Sequence, residues 1–111
     1  MPDVVMRAKS IKPVVPESAW TYLTNHAHVL ILLERSPTAT MREVADSVGI
    51  TERAVQRIVR ELEQAQVLRR TKDGRRNVYS VEADRPMRHA VESHCSVSDL
   101  IDLVNGPLRG E

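Results

Sequence analysis

Between Thr40 and Gln66 the chain runs TMREVADSVGITERAVQRIVRELEQAQ, and no other stretch restricts its fold so strongly. Thr40 and Glu43 stand at capping-box spacing, where the hydroxyl takes the amide of Glu43 and the carboxylate returns to the amide of Thr40. Val44, Ala45 and Val48 then supply one apolar face. Gly49 follows the last periodic residue, where a reversing chain needs positive φ at low steric cost. Ile50 is placed to plug the corner. Thr51 is a second N-cap, and Val55, Ile58, Val59 and Leu62 fall at i, i+3, i+4 and i+7, the spacing of a helix with one buried stripe. Two short helices joined by a tight glycine turn form a helix-turn-helix.

The outer face of the second helix carries Arg53, Gln56, Arg57 and Arg60. Such a helix suits the DNA major groove: apolar residues seat it on a scaffold, while Arg and Gln forks read guanine and adenine edges or grip phosphates. The bland alternative is a solvated amphipathic helix. The preceding capped helix and glycine turn favour the DNA reading, and the two caps, Thr40 and Thr51, complete the expected contact set on this side.

With 111 residues, 41% hydrophobic and 28% charged, the chain amounts to one small domain, and a separate ligand-sensing domain is not expected. Phe is absent, and Trp20, Tyr22 and Tyr79 are the only aromatic residues, so the core must be aliphatic. The net charge of +1 says little, but its distribution says more. Thr51 to Arg76 holds eight basic residues against four acidic ones, a local +4, and the rest of the chain sums to −3. Basic charge is thus gathered on the segment that would face a polyanion. A single cysteine, Cys95, excludes an internal disulfide framework. No apolar run spans a membrane and the N-terminus lacks a signal-peptide core, so a cytoplasmic location is expected.

Residues 1–15 mix charges with prolines without periodicity and read as a flexible arm, either a frayed terminus or a basic extension toward DNA. Trp20 and Tyr22, two apart, suit a short extended piece or a first helical turn equally. Thr24 or Asn25 caps a helix in which Val29, Leu30, Leu32 and Leu33 pack inward and which ends near Arg35 and Ser36, before Pro37. His26 and His28 do not share a helix face, so they are expected at the surface rather than on a metal.

After the second helix of the motif, Asp73 and Gly74 lie between two strand-like runs and signal a hairpin. Its second strand puts Asn77, Tyr79 and Val81 on one face. The ribbon is not stable alone and must pack on the helices. Lys72, Arg75 and Arg76 crowd the tip. Protection against edge aggregation explains charge there, but phosphate or minor-groove contact better explains its concentration. Pro86 can open a short helix through Met87, Ala90 and Val91. Ser96 and Asp99 cap a last helix rich in Leu100, Ile101, Leu103 and Val104, with Asn105, Gly106 and Pro107 expected to end it. Its apolar face must bury on this domain or on a second copy.

Helix, helix-turn-helix, basic hairpin and C-terminal helix, in this order, resemble a winged-helix bacterial transcriptional regulator of the MarR/ArsR-like type. The likeness rests on LTNHAHVLILL, VADSVGITERAVQRIVRELEQAQVL and GRRNVYSV. It implies a mainly α fold with a β-hairpin wing, a recognition helix from Glu52 to about Ala65, a wing from Leu68 to Val81, and homodimers through terminal helices. Two departures stand out. Helices of that type commonly end at a glycine where this chain has Gln66, which would then need a left-handed conformation. Metal-sensing relatives typically carry a paired-cysteine motif on the recognition-site helix, and nothing between Met41 and Gln66 supplies it. His89, Glu92, His94, Cys95 and Asp99 are the right residue types for zinc but match no standard spacing.

The expected division is therefore an arm at 1–15, a winged helix-turn-helix at 16–84 and a helical segment at 85–111. The expected function is sequence-specific binding of double-stranded DNA in transcription regulation, without catalysis, cofactor, metal or membrane. Arg53, Gln56, Arg57 and Arg60 would be the readers, Lys72, Arg75 and Arg76 the wing contacts, and Trp20, Leu100, Ile101, Leu103 and Val104 the dimer surface. A winged helix used for protein interaction, or a metal or redox sensor acting through Cys95, is the alternative.

Overall fold

The computed structural model describes residues 20–109. The expected arm at 1–15 lies outside them. Four helices and one hairpin follow in the order α1 (Asn25–Arg35), α2 (Met41–Val48), α3 (Glu52–Gln64), β1 (Leu68–Asp73), β2 (Arg76–Val81) and α4 (Val97–Arg109). Each boundary has a local cause. Thr24, Thr40 and Thr51 sit in extended backbone before α1, α2 and α3, and their hydroxyls accept from Ala27, Glu43 and Ala54 amides respectively. At α2 the capping box is complete, with Glu43 Oε1 accepting from the Thr40 amide at 2.8 Å. Gly49 then turns left-handed at φ 88° and Ile50 folds back onto the core.

Gln66 is left-handed, at φ 64°, as the missing glycine requires. The amide of Gln66 donates to the Glu63 carbonyl and that of Val67 to the Leu62 carbonyl, both at 3.0 Å. This is a Schellman closure, with buried Val67 and Leu62 as its apolar pair.

The core is one cluster drawn from every element: Val29, Leu30 and Leu33 of α1, Val44 and Ala45 of α2, Val55, Ile58, Val59 and Leu62 of α3, then Val67, Leu68, Tyr79, Val97 and Ile101. Each large aliphatic residue fully buried there contributes roughly 1.5 to 3 kcal/mol. Tyr79 is its only aromatic member, so the core is aliphatic as expected. Leu32 is only partly buried, and Ile31 takes the fully covered position instead.

Strands β1 and β2 pair antiparallel with Leu68 opposite Val81 and Asp73 opposite Arg76. The two-residue loop is therefore Gly74-Arg75, one residue later than Asp73-Gly74, with Gly74 at φ 69° in the first central position, as in a II′ turn. The inward face is Asn77, Tyr79 and Val81, as alternation predicts, with Tyr79 fully buried. The ribbon is tied to the helices by its backbone as well: the Tyr79 amide donates to the Pro37 carbonyl at 2.9 Å.

Two expectations fail beyond the wing. No helix forms from Pro86 through Val91; the segment is a turn-rich loop closed by a bridge between Pro86 and Ser96. Its backbone groups find partners across the loop, Met87 N to Cys95 O at 2.9 Å and Val97 N to Arg85 O at 2.8 Å, which removes the need for helical bonds. The last helix also does not end at Asn105-Gly106-Pro107 but runs to Arg109. Asn105 is buried, taking the Arg35 Nε donor at 2.9 Å and donating to the Ile31 carbonyl at 3.5 Å, so it anchors α4 on α1 rather than terminating the helix. Ser96 and Asp99 form the cap expected of them, with reciprocal bonds of 2.9 and 3.2 Å.

Candidate nucleic-acid interface

The buried stripe of α3 leaves Arg53, Gln56, Arg57 and Arg60 exposed on the opposite side, where with Thr51 they line one shallow surface. A second groove lies between the start of α2 and the wing tip, lined among others by Thr38, Thr40, Met41, Arg75, Arg76 and Asn77. The structure thus groups Thr51 with the helix arginines and Thr40 with the wing tip, while Lys72 lines neither surface. Thr38 and Asn77 were not legible as candidates, because only the fold of β2 against the α1–α2 loop brings them there. The Thr40 and Thr51 oxygens accept cap bonds at 3.1 and 3.0 Å, which leaves each hydroxyl proton free to be donated outward.

The basic residues divide by what surrounds them. At the wing base, Arg69 pairs with Glu82 at 2.9 Å and Arg70 with Glu63 at 3.2 Å. Among the described residues no carboxylate stands within ion-pair distance of Arg53, Arg60, Lys72, Arg75 or Arg76. Arg57 is intermediate, its Nη1 3.9 Å from Glu61 Oε2. Glu61 in turn meets His26 Nε2 at 2.7 Å, and its carboxyl is held below the usual carboxylate value, chiefly by that hydrogen bond, with burial opposing and the charges of Arg57, His26 and Arg60 assisting. His28 bonds Asn25 within α1 at 3.1 Å. Among the described residues no three His, Cys, Asp or Glu side chains are grouped to hold a metal ion, the set around His89, His94 and Cys95 included. No helix among them is long and apolar enough to cross a membrane.

A model of the MarR family matches residues 22–76, from just before α1 to the first residue of β2. Over residues 22–76 the chain belongs to the MarR family. Solved MarR-type structures align with it. Lactococcus lactis ZitR in complex with DNA is 21% identical over 71% of this chain and 58% of its own, with a TM-score of 0.47. Bordetella bronchiseptica BpsR, whose DNA binding is regulated by 6-hydroxynicotinic acid, is 15% identical over 96% of this chain and 67% of its own, at 0.50. A cysteine-to-serine mutant of ZitR gives 15% identity, 96% and 69% coverage, and 0.51. The last two carry the fold, a MarR-type winged helix. This MarR-family chain spans under two thirds of the length of ZitR in the DNA complex. No curated protein matches it in sequence.

The expected dimer residues of this MarR-family chain are split. Ile101 lies in the chain's own core and Leu100 and Val104 are half-buried, whereas Leu103 is 75% exposed. Trp20 is 72% exposed and precedes α1 without joining it; its ring meets Tyr22 edge-on at 4.8 Å, so the segment is not a helical turn.

Proposed function

We propose that this chain is a sequence-specific binder of double-stranded DNA that regulates transcription, with α3 in the major groove and the tip of the β1–β2 hairpin on the backbone or minor groove. The observation that carries the reading is the division of its cations. Arginines at the wing base are neutralised by Glu63 and Glu82, while Arg53, Arg60, Lys72, Arg75 and Arg76 have no carboxylate within ion-pair distance among the described residues. Concentrated uncompensated charge costs stability through mutual repulsion, and phosphates relieve it. Membership of the MarR family, whose members bind DNA as transcription regulators, supports the same reading. Arg53, Gln56, Arg57 and Arg60 would face bases and phosphates, and Thr40, Thr51, Lys72, Arg75 and Arg76 phosphates. The activity is binding, with no catalytic step, in the cytoplasm where DNA is reached.

A homodimer is part of the proposal. One recognition helix reads a few base pairs, whereas two related by a two-fold axis read half-sites about 10 bp apart. Among the described residues Leu103, Trp20, Tyr22 and Val91 are the large hydrophobics left exposed, and Leu103 is the one on α4. The deciding experiment is binding to mixed-sequence duplex at several salt concentrations. Affinity that falls steeply with salt is the expected result; absence of binding at low salt would return the chain to the class of winged helices that recognise proteins.

A further inference from the structure

The three arginines on α3 are not equivalent. Among the described residues Arg53 and Arg60 have no carboxylate within ion-pair distance, though the charge of Arg60 acts on Glu61, whereas Arg57 pairs with Glu61, one helical turn further along the same helix. Glu61 is itself held from a different element. Its Oε1 is 2.7 Å from Nε2 of His26, 35 residues away in the first turn of α1, which leaves Oε2 toward Arg57 at 3.9 Å. The groups that act on this carboxylate are His26 from α1 and Arg57 and Arg60 from α3, and the His26 hydrogen bond leads them in holding it below its ordinary value.

Two consequences follow for a helix that reads DNA. An arginine loose on a surface surrenders many rotamers on docking against guanine, and one already biased by a fixed carboxylate surrenders fewer. At 3.9 Å the Arg57–Glu61 contact is an ion pair without a hydrogen bond, so the five N–H donors of the guanidinium stay available, a parallel pair of them for guanine O6 and N7. A carboxylate fixed at the interface also repels phosphates wherever Arg57 lacks a matching base. It therefore lowers affinity for arbitrary sequence more than for the right one.

We propose that Glu61, held by His26, is a positioning residue that orients Arg57 as a base reader and raises the discrimination of α3 between matched and unmatched duplex. The inference rests on the DNA-binding reading above. Its test uses the full chain, a duplex recovered by selection from a randomised library, and a scrambled duplex of the same composition. Glu61→Gln keeps the length of the side chain and removes its charge. Expected are tighter binding to scrambled duplex and a specificity ratio lowered about two- to five-fold, the range of one exposed ion pair. His26→Gln, whose amide still donates to Oε1, should hold the ratio near the wild-type value, and His26→Ala should lower it. In an Arg57→Ala background Glu61→Gln should leave the ratio unchanged.

Equal weakening on both duplexes, as a merely structural role would give, overturns the inference. So does an unchanged ratio in a chain that discriminates, which leaves the DNA reading standing. A wild-type chain that binds neither duplex overturns the reading and the inference together.

Discussion

Arg85 grips Gln66 twice: its Nε donates to the Gln66 carbonyl at 3.2 Å and its Nη2 to the Gln66 Oε1 at 2.8 Å. The residue so held is the one non-glycine residue with positive φ among those described, and it joins α3 to the wing. A left-handed Gln costs roughly 1 kcal/mol relative to Gly. A residue 19 positions later supplies bonds that offset this cost. Gln66→Gly should therefore change stability by less than about 1 kcal/mol, because relief of strain is set against a lost side-chain bond and a more flexible unfolded chain. Gln66→Val should cost clearly more, since a branched Cβ suits φ 64° poorly. Urea titration of both variants, and of Arg85→Ala in each background, measures the balance.

The anchor of α4 is a second test. Asn105 is only 2% exposed and meets both Arg35 and the Ile31 carbonyl. Asn105→Leu should destabilise the chain by about 1 to 3 kcal/mol, because a buried carbonyl loses its donor and the Arg35 Nε its acceptor. The denaturation midpoint reads it directly. A midpoint unchanged from wild type would mean that α4 docks through Val97 and Ile101 alone.

The wing separates into structural and free cations. Replacing Arg75 and Arg76 together by Ala should flatten the slope of log affinity against log salt by roughly two units, since about 0.9 counterion is released per phosphate neutralised. Replacing Arg69 and Arg70, already paired with Glu82 and Glu63, should change the slope less. Equal slope changes for the two pairs would place the whole ribbon, not its tip, on the phosphates.

Association is tested at Leu103, whose side chain is open in the single chain. Leu103→Asp should leave the helical circular dichroism intact and shift sedimentation from dimer toward monomer, with weaker binding to a two-half-site duplex. A wild-type chain that sediments as a monomer at high micromolar concentration would sink the dimer.

Acid tests the Glu61 contacts. The folded chain holds this carboxyl below its ordinary value of 4.5, so on acidification the unfolded chain takes the proton first. The contribution of Glu61 is present above the ordinary value and is lost as pH falls through the lowered folded value. The difference in urea midpoint between wild type and Glu61→Gln should accordingly narrow as pH falls from about 6 to about 3. A constant difference would show that the His26 contact does not form in solution.

What the chain determined locally was nearly everything set by short-range chemistry. Thr24, Thr40, Thr51 and Ser96 cap helices because a side-chain oxygen reaches an amide three residues on, whatever lies around it. Gly49 was legible for the same reason, and so were the inward faces of α3 and β2 and the outward row from Arg53 to Arg60, whereas the left-handed Gln66 was expected from the resemblance, which puts a glycine there. Tertiary structure decided the rest. Asn105-Gly106-Pro107 reads locally as a stop, yet the helix continues there, and Asn105 is anchored on Arg35 and Ile31 of α1. Pro86 reads as a helix start, yet its segment pairs across a loop with Cys95 and Ser96. Ile101 and Leu103 look alike in a list of apolar residues, and only the docking of α4 buries one and leaves the other open. The same holds for charge: Arg69 and Arg75 are the same residue type on one ribbon, but the fold brings Glu82 to the first and no carboxylate among the described residues to the second. Partners distant in sequence carry no periodic or spacing signal, so such pairings emerge only when the chain has closed.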